Sequence, residues 1–269
     1  MRLQEITPLI LTFNEAPNID RTLQQLAWAE TIVVIDSFST DETLEILHSY
    51  SQVKVIQRPF DTHATQWNYG LQQVQSEWVL SLDADYIVTD QLIAEIAALS
   101  EDRQIDSYLI KFKFCVFGKP LRGTLLPPRQ ALFRRSKAIY IDDGHTQLLE
   151  VKGKSATLVN SIYHDDRKPL SRWLWAQDRY MVIEIKKLLE TPFNELSWGD
   201  RIRKQKLFAP FIILIYCLIL KGGILDGWAG WYYTFQRMLA EILLSIRLIE
   251  AEASSKNLLN QSAQANKSL

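Results

Sequence analysis

An α/β fold is what the amino-acid sequence predicts: a Rossmann-like, mostly parallel sheet with a mixed extension and a C-terminal helical appendage. Short β-branched runs alternate with stretches of helical period from Ile6 to Leu99. A period-two pattern takes over after Asp106, and helical period returns after Pro169.

The run from Ile6 to Phe13 (ITPLILTF) is apolar, is followed by turn residues, and reads as a strand. APNIDRTLQQLAW opens near Pro17 and sets Ile19, Leu23 and Leu26 on one helical face. Thr31 to Asp36 is a β-branched strand, and in the next segment Ser39 and Glu42 stand at capping-box spacing ahead of Leu44 and Leu47. Val53 to Gln57 is a third strand, after which Trp67, Leu71 and Val74 form a helical stripe. EWVLSL is the fourth strand and TDQLIAEIAAL the helix behind it. Such alternation implies parallel strands joined by right-handed crossovers. In SYLIKFKFCVF, Tyr108, Ile110, Phe112, Phe114 and Val116 share one face, with Lys111 and Lys113 on the other. RQALFRR, AIYIDD and ATLVNSIYH are further short strands. Pro169 to Glu190 reads as one long helix with Leu170, Trp173, Leu174, Gln177 and Met181 on a face. The final SSKNLLNQSAQANKSL is polar and uncapped, and is expected to be disordered.

Composition excludes some functions. With 30 Lys+Arg against 31 Asp+Glu there is no global electrostatic case for nucleic acid. Cys115 and Cys217 lie far apart in apolar runs and read as buried thiols, not as a disulfide or metal framework. Glu5 and Pro8 interrupt the opening apolar run, so no secretory signal is expected and the predicted location is cytoplasmic.

The strand WVLSLDADYIV closes on two carboxylates, Asp83 and Asp85. A solvated turn explains such a pair, and so does a divalent cation, since Mg2+ and Mn2+ bridge one or two carboxylates to substrate phosphates. Context favours the cation. Asn14, Glu15, Asp36 and the acidic pair all follow strand ends, where ligands of open α/β sheets gather, and are expected to meet in one crevice. A dehalogenase-type phosphatase would carry its aspartate after the first strand. A dinucleotide site would need glycines in LTFNEAPNI, which has none.

Taken in order, LILTFNEAPNIDRTLQQLAWAETIVVIDSFSTDETLEIL, QWNYGL and WVLSLDADYIV resemble the family 2 glycosyltransferases of GT-A (nucleotide-diphospho-sugar transferase) fold. More narrowly, the chain is similar to the branch containing lipopolysaccharide core β-1,4-glucosyltransferases. The likeness is dense over roughly the first hundred residues and continues more thinly through LFRR and IYHDDRKPLSRW to GGILDGWAGWYYTF. It implies that Thr12, Asn14 and Glu15 line the nucleotide pocket, that Asp36 faces base or ribose, and that Gln66 and Asn68 stand near the donor. Asp83 and Asp85 match the metal and sugar-phosphate motif. The chain departs from the family at Phe38, where glycine is usual and where a larger side chain disfavours positive φ.

The implied reaction inverts the anomeric carbon while moving a sugar from a nucleotide diphosphate, a UDP-sugar for preference, to a hydroxyl of a glycan or lipid-linked acceptor. Mg2+ or Mn2+ on Asp85 and Asp83 would stabilise the leaving diphosphate, with His164 as a further ligand. Related sequences carry a His-Glu pair that supplies the base. Here YIDDGHTQLLEV keeps His145 but has Thr146 in place of the Glu, leaving Asp143, then Asp142, with His145 as orienter or base. Both aspartates also suit a plain turn before Gly144. Arg129, Arg134 and Arg135 are candidates to pair with phosphate. A catalytically degenerate nucleotide-sugar-binding scaffold, or a nucleotidyltransferase, is the alternative reading.

Leu207 to Leu220 is apolar but shorter than the ~20 residues a spanning helix needs. Arg201, Arg203, Lys204 and Lys206 precede it and GGILDGWAGWYYTF follows, so an interfacial hairpin on the inner membrane face is expected, the alternative being a covered helix pair. The domain plan is a GT-A catalytic domain over 1–168, a helical region over 169–253 and a tail over 254–269.

Overall fold

The computed structural model describes residues 2–100, 104–123, 125, 127–143 and 146–265, with the side chains of Asp143, Thr146 and 255–265 outside that description. The chain forms two compact units, Met1–Lys168 and Pro169–Leu269.

The first unit runs β1 (Ile6–Thr12), α1 (Ile19–Gln24), β2 (Ile32–Asp36), α2 (Thr43–His48), β3 (Val53–Gln57), α3 (His63–Gln73), β4 (Trp78–Asp83), β5 (Tyr86–Val88) and α4 (Asp90–Ala97). It continues with β6 (Ile105–Val116), β7 (Lys119–Pro120), β8 (Arg129–Arg134), β9 (Ala138–Asp143), β10 (Thr146–Val151) and β11 (Lys154–His164). The main sheet has the order β3-β2-β1-β4-β8-β6-β11-β5, with β7 beside β6, while β9 and β10 form a separate hairpin. Strands β1 to β4 are parallel, β8 is antiparallel to both β4 and β6, and β11 is parallel to β6. It follows that β1, β2, β3, β4, β6 and β11 all deliver their last residues to one edge. This edge is where polar side chains can meet.

Burial on both faces explains the continuous apolar runs of β1 and β2. Ile10 and Val34 pack with Leu23, Leu26 and Leu47 on one side; Leu9 and Ile35 pack with Trp67 and Leu71 of α3 on the other. Gly70 permits that second contact, because a Cβ there would lie 2.8 Å from Leu9 Cδ1. In β6 the expected alternation holds from Tyr108 to Lys113, with Tyr108, Ile110 and Phe112 buried and Lys111 and Lys113 exposed, and breaks at its end, where Phe114 is half-buried and Cys115 and Val116 are both buried. The register of β11 slips between Thr157 and Ser161, and there Glu95 of α4 accepts Val159 N–H at 2.7 Å and Asn160 N–H at 2.9 Å. A side chain thus satisfies backbone donors that a bulge orphans.

Three local expectations are corrected. Ser39 caps no helix, since α2 starts at Thr43 and the Ser39 hydroxyl is drawn to Asp36. The short strand β5 was not foreseen. ATLVNSIYH is the end of a longer strand that starts at Lys154.

The second unit comprises α5 (Leu170–Glu190), α6 (Trp198–Lys204), α7 (Ala209–Ile215), a π-helical turn (Tyr216–Leu220) and α8 (Trp228–Ala265). Met181, Leu188, Leu196, Leu244 and Leu248 form its core. Arg203 pairs with Glu241 at 2.7 Å and Lys187 with Asp200 at 3.0 Å. Of the expected α5 face, Met181 is buried whereas Leu170 and Leu174 are exposed. The backbone expected to be disordered from residue 254 is helical as far as Ala265. Extending an existing helix needs no new nucleus, and Leu, Ala, Lys and Gln are good helix formers. Among the described residues no helix is long and apolar enough to cross a membrane.

Candidate active site

At the ends of β1, β2 and β3 the carboxylate of Asp36 organises the loops. It is fully buried and its two oxygens accept four hydrogen bonds: Thr12 Oγ1 at 2.9 Å, Ser39 Oγ at 2.5 Å, Ser39 N–H at 2.9 Å and Gln57 Nε2 at 3.3 Å. Expected to face a base or ribose, it is here committed to the protein. Asn14 N–H donates to Ser39 Oγ and Asn14 Oδ1 accepts Thr40 N–H at 2.8 Å, so the first two loops are laced together. Asn14 and Phe38 both take positive φ, 56° and 59°. Asn tolerates that region, whereas Phe38 adopts with a bulky side chain a conformation that favours glycine. Gln66 is fully buried and donates to Ser37 Oγ at 3.1 Å while accepting from Arg58. Asn68 is directed elsewhere: its amide pairs with Tyr140 N–H and C=O at 2.9 and 2.8 Å and fastens β9 to α3.

The acidic pair stands at the end of β4. Asp85 Oδ2 meets His164 Nε2 at 2.9 Å, and the His164 ring packs against Phe114 at 4.4 Å and Tyr86 at 5.2 Å between centroids. Burial opposes charge on both partners, but each outweighs it for the other: Asp85 is held below the usual carboxylate range and His164 above the usual imidazole range. Asp83 moves the opposite way, raised by burial and then by the charge of Asp85. Arg129 is near enough to oppose that rise. Asp85 Oδ1 and His164 Nδ1 are buried with no hydrogen-bond partner.

Beyond β11 the YHDDRK segment ties loops together. Asp165 accepts from Gly118 N–H at 2.9 Å, Arg21 at 2.7 Å and Arg167 at 2.9 Å, while its own N–H donates to Asp85 C=O at 3.0 Å. Asn18, fully buried, donates to Glu15 and Asp166 and accepts from Arg21 and Arg167 N–H. Lys168 Nζ lies 2.6 Å from Glu15 Oε1. Burial lifts the Glu15 carboxyl to about 7 against the pull of Lys168. Burial lowers Lys168 in turn, but Glu15, Asp166 and Asp85 carry it up to about 12.

One edge therefore gathers Thr12, Asn14, Glu15, Asp36, Gln66, Asp83, Asp85, Arg129 and His164. Arg134 and Arg135 are not part of it: Arg134 pairs with Trp78 in register and with Glu77, and Arg135 bonds Ser76 C=O, all at the start of β4. Asp142 accepts Ala64 N–H at 3.4 Å in the first turn of α3. Asp143 faces Thr146 across the β9–β10 hairpin, its side chain outside the described residues, as is all of His145. Sequence reasoning missed Asn18, Arg21, Gln57 and Lys168. The polar start of α1 in APNIDR was the available signal.

The donors present fit a divalent ion only in part-protein form. Among the described residues no three His, Cys, Asp or Glu side chains are grouped to hold an ion. Two adjacent carboxylates, one with a buried and unpartnered oxygen, match an ion that takes its remaining oxygens from substrate and water.

A family model described as Glycosyl transferase family 2 matches residues 9–149. An uncharacterized glycosyltransferase of Rickettsia bellii is 31% identical over 107 residues, 39% of this chain and 36% of that protein. The lipopolysaccharide core biosynthesis glycosyltransferase LpsC of Rhizobium meliloti is 26% identical over 104 residues, 36% and 38% of the two chains. The crystal structure of S. aureus TarS in complex with UDP-GlcNAc aligns with TM-score 0.49 and 18% identity, covering 88% of this chain and 81% of that one. The matched segment spans less than two fifths of the length of these two curated relatives.

Proposed function

The chain belongs to glycosyl transferase family 2, and from that premise we propose that it moves a sugar from a nucleotide-diphosphate sugar, a UDP-sugar for preference, to a hydroxyl of a glycan or lipid-linked acceptor with inversion. The single observation behind this reading is the Asp83–Asp85 pair at the end of β4, Asp83 half-buried and Asp85 buried with one oxygen unpartnered, on the edge where the β1 to β3 loops also converge. Asp85 and Asp83 are the residues proposed to hold Mg2+ or Mn2+, with His164 beside them. Such an ion supplies positive charge to a diphosphate as it leaves.

The protein's own groups have separate tasks. Thr12, Asn14, Glu15 and Gln66 shape the nucleotide side, with Asp36 fixing their loops and Arg129 facing the sugar-phosphate side. His164 holds Asp85 in place and in its ionised form. The acceptor proton is assigned to Asp143, then Asp142, with His145 as orienter or base. Incubation with a panel of nucleotide sugars and Mn2+ is expected to release nucleotide diphosphate with at least one of them. Tight donor binding without any metal-dependent release would favour the scaffold reading instead, and release of pyrophosphate from nucleotide triphosphates a nucleotidyltransferase.

The second unit supports a place on the inner membrane surface. Between Leu207 and Phe235 the charged residues are Lys221 and the buried Asp226, while Phe211, Ile215, Ile219, Leu220 and Leu225 are more than half exposed. Exposure peaks at 72% for Leu220, beside the turn of the hairpin, and Trp228 and Trp231 follow it. A protruding apolar turn with tryptophans behind it suits a fluid bilayer interface. Pelleting with phosphatidylglycerol vesicles is the check. The wild-type protein is expected to sediment, and the Phe211→Ser, Ile215→Ser, Ile219→Ser variant to stay in solution with unchanged diphosphate release. Equal sedimentation of both, or a shift of mass in solution without vesicle binding, would reject this placement.

A further inference from the structure

The β6–β7 turn carries an exposed aromatic side chain, Phe117. Val116 pairs with Lys119, leaving Phe117 and Gly118 as a two-residue hairpin loop. Both take positive φ, 48° and 83°. Loops of this kind favour Asn-Gly, because the first position is strained for a bulky side chain. Phe117 nonetheless occupies it and leaves 57% of its surface exposed. Burial therefore does not account for the choice.

The turn is held in place from the direction of the acidic pair. Gly118 N–H donates to Asp165 Oδ1 at 2.9 Å, and Asp165 N–H donates to Asp85 C=O at 3.0 Å. Arg167 binds the same Asp165 at 2.7 Å and places its guanidinium carbon 6.0 Å from the Phe117 ring centroid. A Cβ at Gly118 would lie 2.9 Å from Arg167 Nη2, so glycine is what lets the arginine close on the turn. The ring is thus positioned through two hydrogen bonds from Asp85, with a cation at its side.

Strand order says which substrate this ring meets. The loops of β1, β2 and β3 lie to one side of β4, and β6 and β11 lie to the other. If the nucleoside occupies the β1–β3 side and the diphosphate reaches Asp83 and Asp85, the flank beyond β4 is left for the acceptor. We propose that Phe117 is a stacking platform for a pyranose ring of the acceptor, with Arg167 donating to that sugar's hydroxyls. The C–H face of a pyranose is apolar and slightly positive, and complements the negative face of an aromatic ring. This assignment rests on the transferase reading above for its orientation.

The test uses the full chain with UDP and Mn2+ and the methyl glycosides of glucose, galactose and N-acetylglucosamine as probes. Saturation-transfer NMR is expected to show transfer to the ring C–H protons of at least one glycoside with the wild-type protein and with Phe117→Trp. Phe117→Asn and Phe117→Ala are expected to weaken that glycoside's binding roughly tenfold, the order of one aromatic contact. Because Phe117→Asn creates the favoured loop sequence, its thermal midpoint is expected to equal or exceed the wild-type value, which separates lost binding from lost folding. UDP affinity by calorimetry is expected to be the same in all four proteins. An undiminished signal in Phe117→Asn, or no signal from any of the three sugars with wild type, overturns the assignment. Absence of UDP binding by wild type would instead undo the transferase reading, while the glycoside comparison would still decide the role of Phe117.

Discussion

Exchange of both Asp83 and Asp85 for asparagine is expected to lower nucleotide-diphosphate release by about a thousandfold, comparable to deleting a principal electrostatic contact in an active site. The reason is local. Asp85 offers a buried oxygen that no hydrogen bond in the described protein uses, and Asp83 is pushed toward protonation by burial and then by its neighbour. Two carboxylates crowded at a strand end are a poor arrangement for a bare protein and a good one for a dication. The same exchange removes their mutual repulsion but also the Asp85–His164 pair, so the variant is expected to be less stable than the parent by urea titration, and release is compared at a temperature where both are fully folded. Release that persists at the parental rate, with chelator present, would end the metal-assisted reading.

The largest expected loss of stability is at Asp36. Alanine there leaves the Thr12 and Ser39 hydroxyls, the Ser39 N–H and the Gln57 amide without their buried acceptor, at a cost of about 3 kcal/mol or more. For a unit of this size that corresponds to a fall in melting temperature of roughly 10 °C. Asparagine is expected to recover only part of it, since its NH2 group would confront a donor already aimed at the site. A different outcome is informative as well. Parental stability combined with lost nucleotide affinity would return Asp36 to the ligand-contacting role that the family resemblance implies.

Periodicity made the first four strands and their shared edge legible, because burial on both faces writes continuous β-branched runs and crossovers write helical stripes. Asp83, Asp85, Glu15 and Asn14 could be read from their places after those strands. What stayed hidden depends on side-chain choice among neighbours. Whether Asp36 faces a ligand or its own loops turns on Ser39 and Gln57, and no spacing rule joins residues 36, 39 and 57. Asn68 looked like a donor contact and proved to hold Tyr140, since an amide serves a backbone as readily as a substrate. Arg134 and Arg135 were misplaced because an antiparallel strand brings its last residues to the far end of the sheet.

The Glu15–Lys168 pair joins the first crossover loop to the last residue of the N-terminal unit, with Asn18–Asp166 and Arg21–Asp165 beside it. Truncated expression versions that stop after His164 would lack this ionic clasp and leave the Glu15 carboxyl near Asp85 without its lysine. Cutting after Lys168 preserves it. The shortest autonomous fragment is therefore set by electrostatics four residues past the final strand, and not by where the sheet itself finishes.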